Sequence, residues 1–443
     1  MSIARIDFNR YALPGEELAA AAPNRAAVLA MYGFLLVVIA APMMQIKENV
    51  RYTGQGDLAR EIAFVVVLAM ALVATQGAQG AQGVRRFFNV PVTLALALGW
   101  CWLSMVWAMN PDVTIRRLLL TTMIVVIIFN LAQALRFEET VRIVRRVFVI
   151  TLAASYAAVL LAPSIGIHRA ADVAGIGIDP DLIGCWKGVL AHKNYAGVAC
   201  AFTVILFTFD ARGMRLLPRA AVILGALLFL YKTRSKTSAG ILVAAIVCGW
   251  LFTMYNPRRR VAVVSIIVVV AAAIAIFVYY DWDALSAPFN RPDAFTGRVQ
   301  IWKVLVEYHS DHPLGSGYGS FWNIGPDRQM LHYVKSTNWV AGQPQAHNGY
   351  LDLLVQLGMP GLILGILAFI VAPIGRLLVS LEAPRAQGGM LLAMIIFSAG
   401  HNFTESSYLD RDQLVEVFCL LAIALVGVIA RPNRAKRAAR LIP

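Results

Sequence analysis

Polar side chains able to bind anions or move protons gather in four short stretches of an otherwise apolar chain. They lie at residues 192–194, at 232–238, at 401–407, and in a fourth group that joins Arg298 to residues 345–350. The four stretches contain histidine, glutamate and several cations, and such side chains bind phosphate oxygens or accept a proton from a hydroxyl. The sequence therefore indicates a site for an anionic substrate and a hydroxyl partner.

The cations favour a diphosphate as the anion. Lys232, Arg234 and Lys236 lie within five residues of one another, and with Lys193 and Arg298 they can form a diphosphate clamp. Arginine binds two phosphate oxygens at once through its planar fork, and lysine adds a point charge. The alternative is that these long side chains lie at the ends of membrane spans and only reach toward lipid headgroups.

His347 is the candidate base, and Glu405 is a second candidate for the site. A neutral imidazole can take a proton from a hydroxyl near neutral pH. Glu405, flanked by Thr404 and Ser406, is a candidate for binding sugar hydroxyls or for orienting a partner. The alternatives are a histidine that makes an interfacial hydrogen bond and a carboxylate that is merely solvated.

The sequence has no pattern typical of metal or redox chemistry. Its five cysteines form neither a CxxC motif nor a Cys/His ligand set. The nearest acidic pair, Asp179 and Asp181, is expected to be part of a turn. We therefore expect no metal and no cofactor.

Composition determines which elements must hold these residues. Of 443 residues, 59% are hydrophobic and 14% are charged, with a mean hydropathy of +0.67. In a soluble protein about half of the residues are apolar and about a quarter are charged. This balance excludes a soluble enzyme, a disordered chain and a disulfide scaffold. The fold is predicted to be all-α, a polytopic membrane protein with about twelve transmembrane helices. The apolar runs are 26–44, 61–75, 90–108, 118–135, 147–165, 195–209, 219–231, 238–255, 261–280, 350–372, 388–400 and 413–430.

Basic residues orient the predicted bundle. With both termini in the cytoplasm, the segments on that side hold more than half of the 39 lysines and arginines but fewer than a third of the 25 acidic residues. The positive-inside rule then accounts for the net charge of +14. We expect membrane lipids as partners and no nucleic acid. In this topology all four polar stretches face the outer side.

The segment 281–349 is the longest connection between apolar runs. Its many aromatic residues are not typical of a disordered loop, and part of it has the spacing of a short amphipathic helix. The predicted apolar face of that helix consists of Val299, Trp302, Leu305 and Val306. The chain therefore divides into helices 1–9 (1–280), a large outer loop containing short helices (281–349), helices 10–12 (350–430) and a basic cytoplasmic tail (431–443).

These stretches resemble motifs of the O-antigen ligase/Wzy polymerase superfamily. The outer loop opens with GRxxIW, from Gly297 to Trp302, and closes with an H(x10)G pattern, from His347 to Gly358. The runs HKNYAG (192–197), TRSKTSAG (233–240) and HNFTES (401–406) are similar to segments of the exopolysaccharide-polymerase branch. The combination of GRxxIW with H(x10)G is more specific than either motif alone.

The resemblance implies glycan transfer from an undecaprenyl-diphosphate-linked donor, on the periplasmic face of a bacterial inner membrane. It implies a metal-independent inverting glycosyltransferase, with His347 as the base for the acceptor hydroxyl. Arg298 would bind the donor diphosphate, helped by Arg234, Lys236 and Lys193. The acceptor sugar is then expected to contact the polar neighbours Asn194, Asn348, Tyr350 and Glu405.

Three activities remain open for such a chain. A polymerase joins one lipid-linked repeat unit to another and can have a chain-length regulator as partner, whereas a ligase moves finished polymer onto lipid A-core. The runs at 192–197 and 401–406 favour the polymerase. A transporter of lipid-linked sugar is less consistent with the sequence, because no similarity between halves is found and the polar stretches lie at the ends of apolar runs.

Overall fold

A computed structural model describes residues 24–44, 58–76, 90–169, 182–211, 213–281, 297–322, 324, 329–335, 339–411 and 413–431. Three expectations fall wholly or largely outside these residues. They are the turn at Asp179–Asp181, the tail 431–443 beyond its first residue, and the part of the outer loop from 282 to 296.

The described residues form an all-helical protein without β-strands, in which a single antiparallel bridge joins Ile167 and Trp186. Short 3₁₀ turns and one π-helical turn, Leu367–Val371, connect the α-helices. In chain order the α-helices are α1 (Arg25–Met44), α2 (Leu58–Gln76), α3 (Val92–Leu103), α4 (Pro111–Leu161), α5 (Pro163–Gly166), α6 (Lys193–Thr208), α7 (Leu216–Thr233), α8 (Lys236–Met254), α9 (Arg260–Tyr280), α10 (Arg298–Asp311), α11 (Gly349–Ile366), α12 (Ala372–Val379), α13 (Arg385–His401) and α14 (Leu414–Ile429).

Each of the twelve apolar runs predicted from the sequence is largely helical. Five helical stretches are long and apolar enough to cross a membrane: 58–75, 111–161, 216–233, 236–254 and 349–379. Four shorter apolar helices are 25–40, 92–107, 193–208 and 414–429. The all-α membrane architecture is therefore confirmed in outline, and the number of crossings stays a prediction.

Helix α4 covers two predicted spans at once. A straight helix of its 51 residues would be about 75 Å long, more than twice the thickness of a hydrocarbon core of about 30 Å. The chain breaks this helix at Arg136, whose φ of 60° and ψ of 178° are not helical. Two arms result, and they correspond to the predicted spans 118–135 and 147–165.

Helices α6 and α14 occupy the centre of the bundle. Most residues of both are buried, and their rings meet those of α4 and α13 in an aromatic cluster. The centroid of Phe418 lies 4.8 Å from Phe148 and 5.3 Å from Phe202, and Phe202 lies 5.1 Å from Phe397. Such tilted contacts add to the free energy gained by burying apolar area. The first turn of α6 is thereby fixed at one end of the core.

Two arginines hold the other end of α6. Arg145 donates from Nε to the carbonyl of Leu206 at 2.9 Å, and Arg219 donates from Nε to the carbonyl of Phe207 at 2.7 Å. The last carbonyls of a helix have no partner within it and carry partial negative charge, so cations there are stabilising. These two arginines therefore cap the C-terminus of a buried helix.

The described part of the segment 281–349, which is predicted to be an outer loop and is called by that name below, packs on the bundle through α10. Ile301, Leu305 and Tyr308 are buried against α11 and the residues that follow α10. The predicted helix is confirmed, but its predicted apolar face is partly wrong, because Val306 is 52% exposed. The buried stripe keeps Val299 and Leu305 but uses Ile301 and Tyr308 in place of Val306, so it is rotated about the helix axis from the face expected.

A kink at Gly358 joins α11 to this loop. Gly358 has φ 67°, and a Cβ added there would overlap the carbonyl oxygen of Pro313. The distorted turn leaves helical carbonyls without their usual donors, and neighbouring segments supply new ones. Ser316 N–H donates to Val355 at 2.9 Å, and the indole of Trp100 donates to Leu357 at 2.9 Å. The glycine that ends H(x10)G is thus required by backbone geometry.

We expect Gly358→Ala to lower the free energy of unfolding by about 1–3 kcal/mol, because the new side chain meets both a positive φ and a backbone oxygen. The measurement is the thermal unfolding midpoint of the purified protein in lipid nanodiscs. Gly375→Ala is the matched control, since its Cβ would meet nothing within 4 Å in helix α12. Equal midpoints for the two variants would contradict this account of the kink.

Candidate active site

One carboxylate gathers three of the predicted site residues. Glu405 Oε1 accepts a hydrogen bond from Asn194 Nδ2 at 2.9 Å and from Arg298 Nη2 at 3.1 Å. Glu405 Oε2 lies 3.3 Å from Nδ1 of His347. The partners stand 211, 107 and 58 residues away along the chain. The structure therefore brings the outer-loop arginine, the histidine and the HKNYAG segment to a single point.

Each of these side chains is placed by the end of a helix. Arg298 is the first residue of α10, and Asn194 is the second residue of α6. His347 directly precedes Asn348, the N-cap of α11. Glu405 follows the C-terminus of α13, and its N–H donates to the His401 carbonyl at 3.0 Å. Helix ends are rigid points of attachment, so the geometry of the site is set by the packing of the bundle.

The loop after α13 is shaped by Asn402, a residue that the sequence had not marked as part of the site. Its side-chain oxygen accepts from the N–H groups of Ser407 and Tyr408, each at 3.0 Å. Its backbone carbonyl accepts from Gly349 N–H at 2.8 Å, at the start of α11. Asn402 thus ties the loop that carries Glu405 to the helix that follows His347. Its only sequence signal is its place inside the HNFTES run.

His347 has a backbone conformation that is uncommon for a residue with a side chain. Its φ is 51°, in the left-handed region. The preceding carbonyl, that of Ala346, accepts a hydrogen bond from the Trp302 indole at 3.0 Å, which holds this turn against α10. The His347 side chain is 23% exposed. The backbone of His347 is therefore held against α10, and its side chain remains accessible to a substrate.

The turn between α7 and α8 lies beside the same loop. Thr404 Oγ1 donates to Thr237 Oγ1 at 3.3 Å, and the Thr404 carbonyl accepts a hydrogen bond from Arg298 Nη1. On its other side the turn presses on α6, where a Cβ added at Gly197 would lie 2.8 Å from Cβ of Ser235. The TRSKTSAG and HKNYAG runs are therefore in contact, and both adjoin the Glu405 loop.

Two predicted diphosphate ligands lie exposed on this turn. Arg234 ends α7 with a left-handed φ of 54°, and Lys236 begins α8. Both side chains are exposed. Lys193, the first residue of α6, is half-buried, and its Nζ lies 3.9 Å from Cys185 Sγ. Of the predicted diphosphate ligands, Arg298 contacts the Glu405 carboxylate directly. Arg234, Lys236 and Lys193 lie on the segments that adjoin the Glu405 loop.

Asn348 and Tyr350 make contacts within the protein. The Asn348 side chain accepts from the N–H groups of Tyr350 and Leu351 at 3.1 and 3.2 Å, which caps α11. The Tyr350 hydroxyl donates to the carbonyl of Ala399 at 2.9 Å. These bonds give both residues a structural task. Their role toward an acceptor sugar stays a prediction.

Two further buried polar residues lie near the site, and the sequence had assigned no role to either. The His401 ring is buried, and neither of its nitrogens has a hydrogen-bond partner among the described residues. Asp352, one turn and a half beyond His347, accepts from the Trp322 indole at 2.5 Å and so fastens the outer loop to α11. Among the described residues, no group of three or more His, Cys, Asp or Glu side chains is arranged to hold a metal ion.

The charge of Glu405 is stabilised by its neighbours. Burial raises the pKa of this carboxyl. The hydrogen bond and charge of His347, together with the charge of Arg298, lower the pKa by more than burial raises it, to about 2. The side chain is 13% exposed, so water replaces little of this interaction. Glu405 is thus an anion at any physiological pH and compensates part of the surrounding positive charge.

Acid should remove this stabilisation. The folded pKa of about 2 lies below the ordinary value of 4.5, so the contribution is complete above pH 4.5 and is lost as the pH falls toward 2. The shift corresponds to roughly 3 kcal/mol. We expect the difference in unfolding midpoint between the wild type and Glu405→Gln to be largest near pH 7 and to shrink between pH 4.5 and 2.5. A difference that did not vary with pH would contradict this electrostatic account.

Parts of this chain are similar in sequence to known proteins. Residues 219–366, which include Arg234, Arg298 and His347, match the family model described as O-antigen ligase. Over 272 residues the chain is 25% identical to the exopolysaccharide production protein ExoQ of Rhizobium meliloti (strain 1021), covering 58% of this chain and 61% of that protein. The chain therefore spans about three fifths of the length of the curated relative that it matches. Both matches agree with the resemblance of these segments to the O-antigen ligase/Wzy polymerase superfamily.

Proposed function

We propose that this protein transfers glycan from an undecaprenyl-diphosphate-linked donor to a saccharide acceptor, as a Wzy-type polymerase at the periplasmic face of a bacterial inner membrane. The observation that carries the proposal is the junction of His347 and Arg298 on one carboxylate, beside exposed Arg234 and Lys236. A base and a set of cations within one site are the two requirements for displacing a diphosphate.

In the proposed reaction, Nε2 of His347 accepts the proton of the acceptor hydroxyl. The acceptor oxygen forms a bond to the anomeric carbon of the donor sugar, and the bond from that carbon to the diphosphate oxygen breaks. The lipid diphosphate leaves with the electron pair. A single displacement of this kind inverts the anomeric configuration. His347 is then an imidazolium, and it returns the proton to water or to the leaving group.

The cations have the task of stabilising the leaving group. Negative charge grows on the diphosphate as its bond to the sugar breaks, and fixed guanidinium and ammonium groups lower the energy of that state without reorganising. Arg298 is the most constrained of them, because it is held by Glu405 and the Thr404 carbonyl. Arg234, Lys236 and Lys193 add charge from two neighbouring helix ends. This set supports a mechanism that is independent of a metal ion.

The comparisons bear on the choice between the alternatives. The relative is named for exopolysaccharide production, and this favours a polymerase, with a chain-length regulator as a possible partner. The family model is described as O-antigen ligase, and this keeps transfer onto lipid A-core as the alternative. Transport of lipid-linked sugar is the second alternative, and it is weaker because the site residues cluster at helix ends instead of at mid-depth.

We expect His347→Ala and Arg298→Ala to lower kcat for product formation by about 10²–10⁴-fold each, since one removes the base and the other a fixed charge at the leaving group. The measurement uses purified protein and undecaprenyl-diphosphate-linked repeat units, with products resolved by gel. His332→Ala and Arg142→Ala are the controls, because His332 is exposed in the outer loop and Arg142 forms an exposed ion pair with Glu139.

The same assay distinguishes the activities. A ladder formed from the donor alone, and lost in both variants, is the result expected for a polymerase. Product only after addition of lipid A-core would replace that conclusion with a ligase. Full activity in both variants would refute the site itself. Movement of labelled donor across proteoliposomes without any new glycosidic bond would instead establish the transporter.

We expect Arg234→Ala and Lys236→Ala to raise KM for the donor, about tenfold each, with a smaller effect on kcat. These side chains are exposed and approach the diphosphate from one side, so much of their energy is gained on binding. Added salt should reproduce the effect in the wild type by screening the same charges. Arg260→Ala, an exposed cation at the start of α9, is the control. An unchanged donor KM in both variants would remove them from the site.

A further inference from the structure

The geometry at His347 distinguishes its two ring nitrogens. Nδ1 faces Oε2 of Glu405 at 3.3 Å. An ionised carboxylate has only acceptor atoms, so a favourable contact requires a proton on Nδ1. In the neutral ring the remaining nitrogen, Nε2, then carries a lone pair. The tautomer of the base is thus determined by the residue behind it.

We propose that Glu405 is a positioning residue that holds His347 in the tautomer with the proton on Nδ1, leaving Nε2 free to accept the proton of the acceptor hydroxyl. This inference rests on the proposed function. It replaces the earlier expectation that Glu405 binds the acceptor sugar. When the proton reaches Nε2, the imidazolium that forms lies directly beside the carboxylate, and Glu405 itself stays unprotonated.

The coordination of Glu405 supports positioning over sugar binding. Its two oxygens already face three donors from three different segments: Asn194, Arg298 and His347. The side chain is only 13% exposed, whereas a ligand for sugar hydroxyls needs free acceptor capacity toward the substrate. A mostly buried carboxylate whose two oxygens both have partners within the protein is suited to orienting its neighbours.

Gln345 is compatible with the same tautomer. As placed, its side-chain nitrogen Nε2 lies 3.3 Å from Nδ1 of His347. The nitrogen and oxygen of an amide are exchanged by a flip, so the oxygen can share the Nδ1 proton with Glu405. The opposite arrangement, in which the amide donates to a bare Nδ1, would place a lone pair of the ring against the carboxylate.

The position of Arg298 links donor binding to this arrangement. Arg298 shares Oε1 of Glu405 with Asn194, so its charge is partly neutralised before the donor binds. A diphosphate that binds the same guanidinium weakens the hydrogen bond from Arg298 to Glu405. More of the carboxylate charge is then available to stabilise the imidazolium, and the base becomes stronger once the donor is in place.

The test uses one nearly isosteric substitution. Glu405→Gln keeps an oxygen that can accept from Arg298 and Asn194, but its NH₂ group donates to Nδ1 and so moves the proton to Nε2. We expect kcat to fall by about 10²–10⁴-fold, with the acceptor KM within about threefold of the wild type. Glu405→Asp, which retains the charge, should recover a substantial part of kcat. Glu139→Gln is the matched control, a like substitution of a carboxylate paired with Arg142.

A second measurement does not depend on activity. The ¹⁵N chemical shifts of histidine-labelled protein in nanodiscs report which ring nitrogen bears the proton, and His347→Asn identifies the signal. We expect an Nδ1–H ring in the wild type and an Nε2–H ring in Glu405→Gln. An Nε2–H ring in the wild type would overturn the inference even if the enzyme is a glycan polymerase.

Failure of His347 as the proposed base can be told apart from failure of Glu405 as a positioning residue. If His347→Ala is fully active, the proposed base is wrong whatever the tautomer. If His347→Ala is inactive while Glu405→Gln keeps its kcat and shows a raised acceptor KM, the base stands and Glu405 is a sugar ligand. Positioning would also be overturned if Glu405→Asp lost as much kcat as Glu405→Gln while His347 kept the wild-type tautomer in both variants.

Discussion

A negative charge held away from water must find its counter-charges within the protein, and at Glu405 this constraint organises the site. The carboxylate is satisfied only when α6 supplies Asn194, α10 supplies Arg298 and the start of α11 supplies His347. Misplacing any one of these helix ends would leave an uncompensated charge, which is far more costly than a lost surface contact. The requirement that stabilises the fold at this end therefore also aligns the groups proposed to carry out the chemistry.

The same rule applies to the backbone within the apolar part of the chain. Lipid offers no hydrogen-bond partners, so every interruption of a helix must be repaired from inside. The kink at Gly358 is repaired by Ser316 and Trp100, and the end of α6 by Arg145 and Arg219. These repairs join the outer loop to α11 and anchor α6 at its far end. The rigid frame on which Glu405 depends is built from such local solutions.

Sequence patterns predicted the parts of the site better than their arrangement. Apolar runs located the helices because lipid exposure demands them, and Arg298, His347 and Glu405 were identifiable as reactive types in apolar surroundings. Their convergence on Glu405 was not readable, because the partners are 58 to 211 residues apart. Val306 was misassigned because helical spacing alone does not fix which stripe of α10 faces α11. Asn402 was missed because its bonds to Ser407, Tyr408 and Gly349 exist only in the folded loop.

The distribution of the site over the chain has a consequence for biosynthesis. Asn194, Arg298 and His347 all leave the ribosome before Glu405 does. Until the segment after α13 is inserted, the guanidinium of Arg298 has no carboxylate to pair with, and water must hydrate it. The ordering of this end of the bundle is therefore a late event in membrane integration. A nascent chain arrested before Glu405 would contain the whole segment that matches the family model, residues 219–366, yet it would lack the group around which the site assembles.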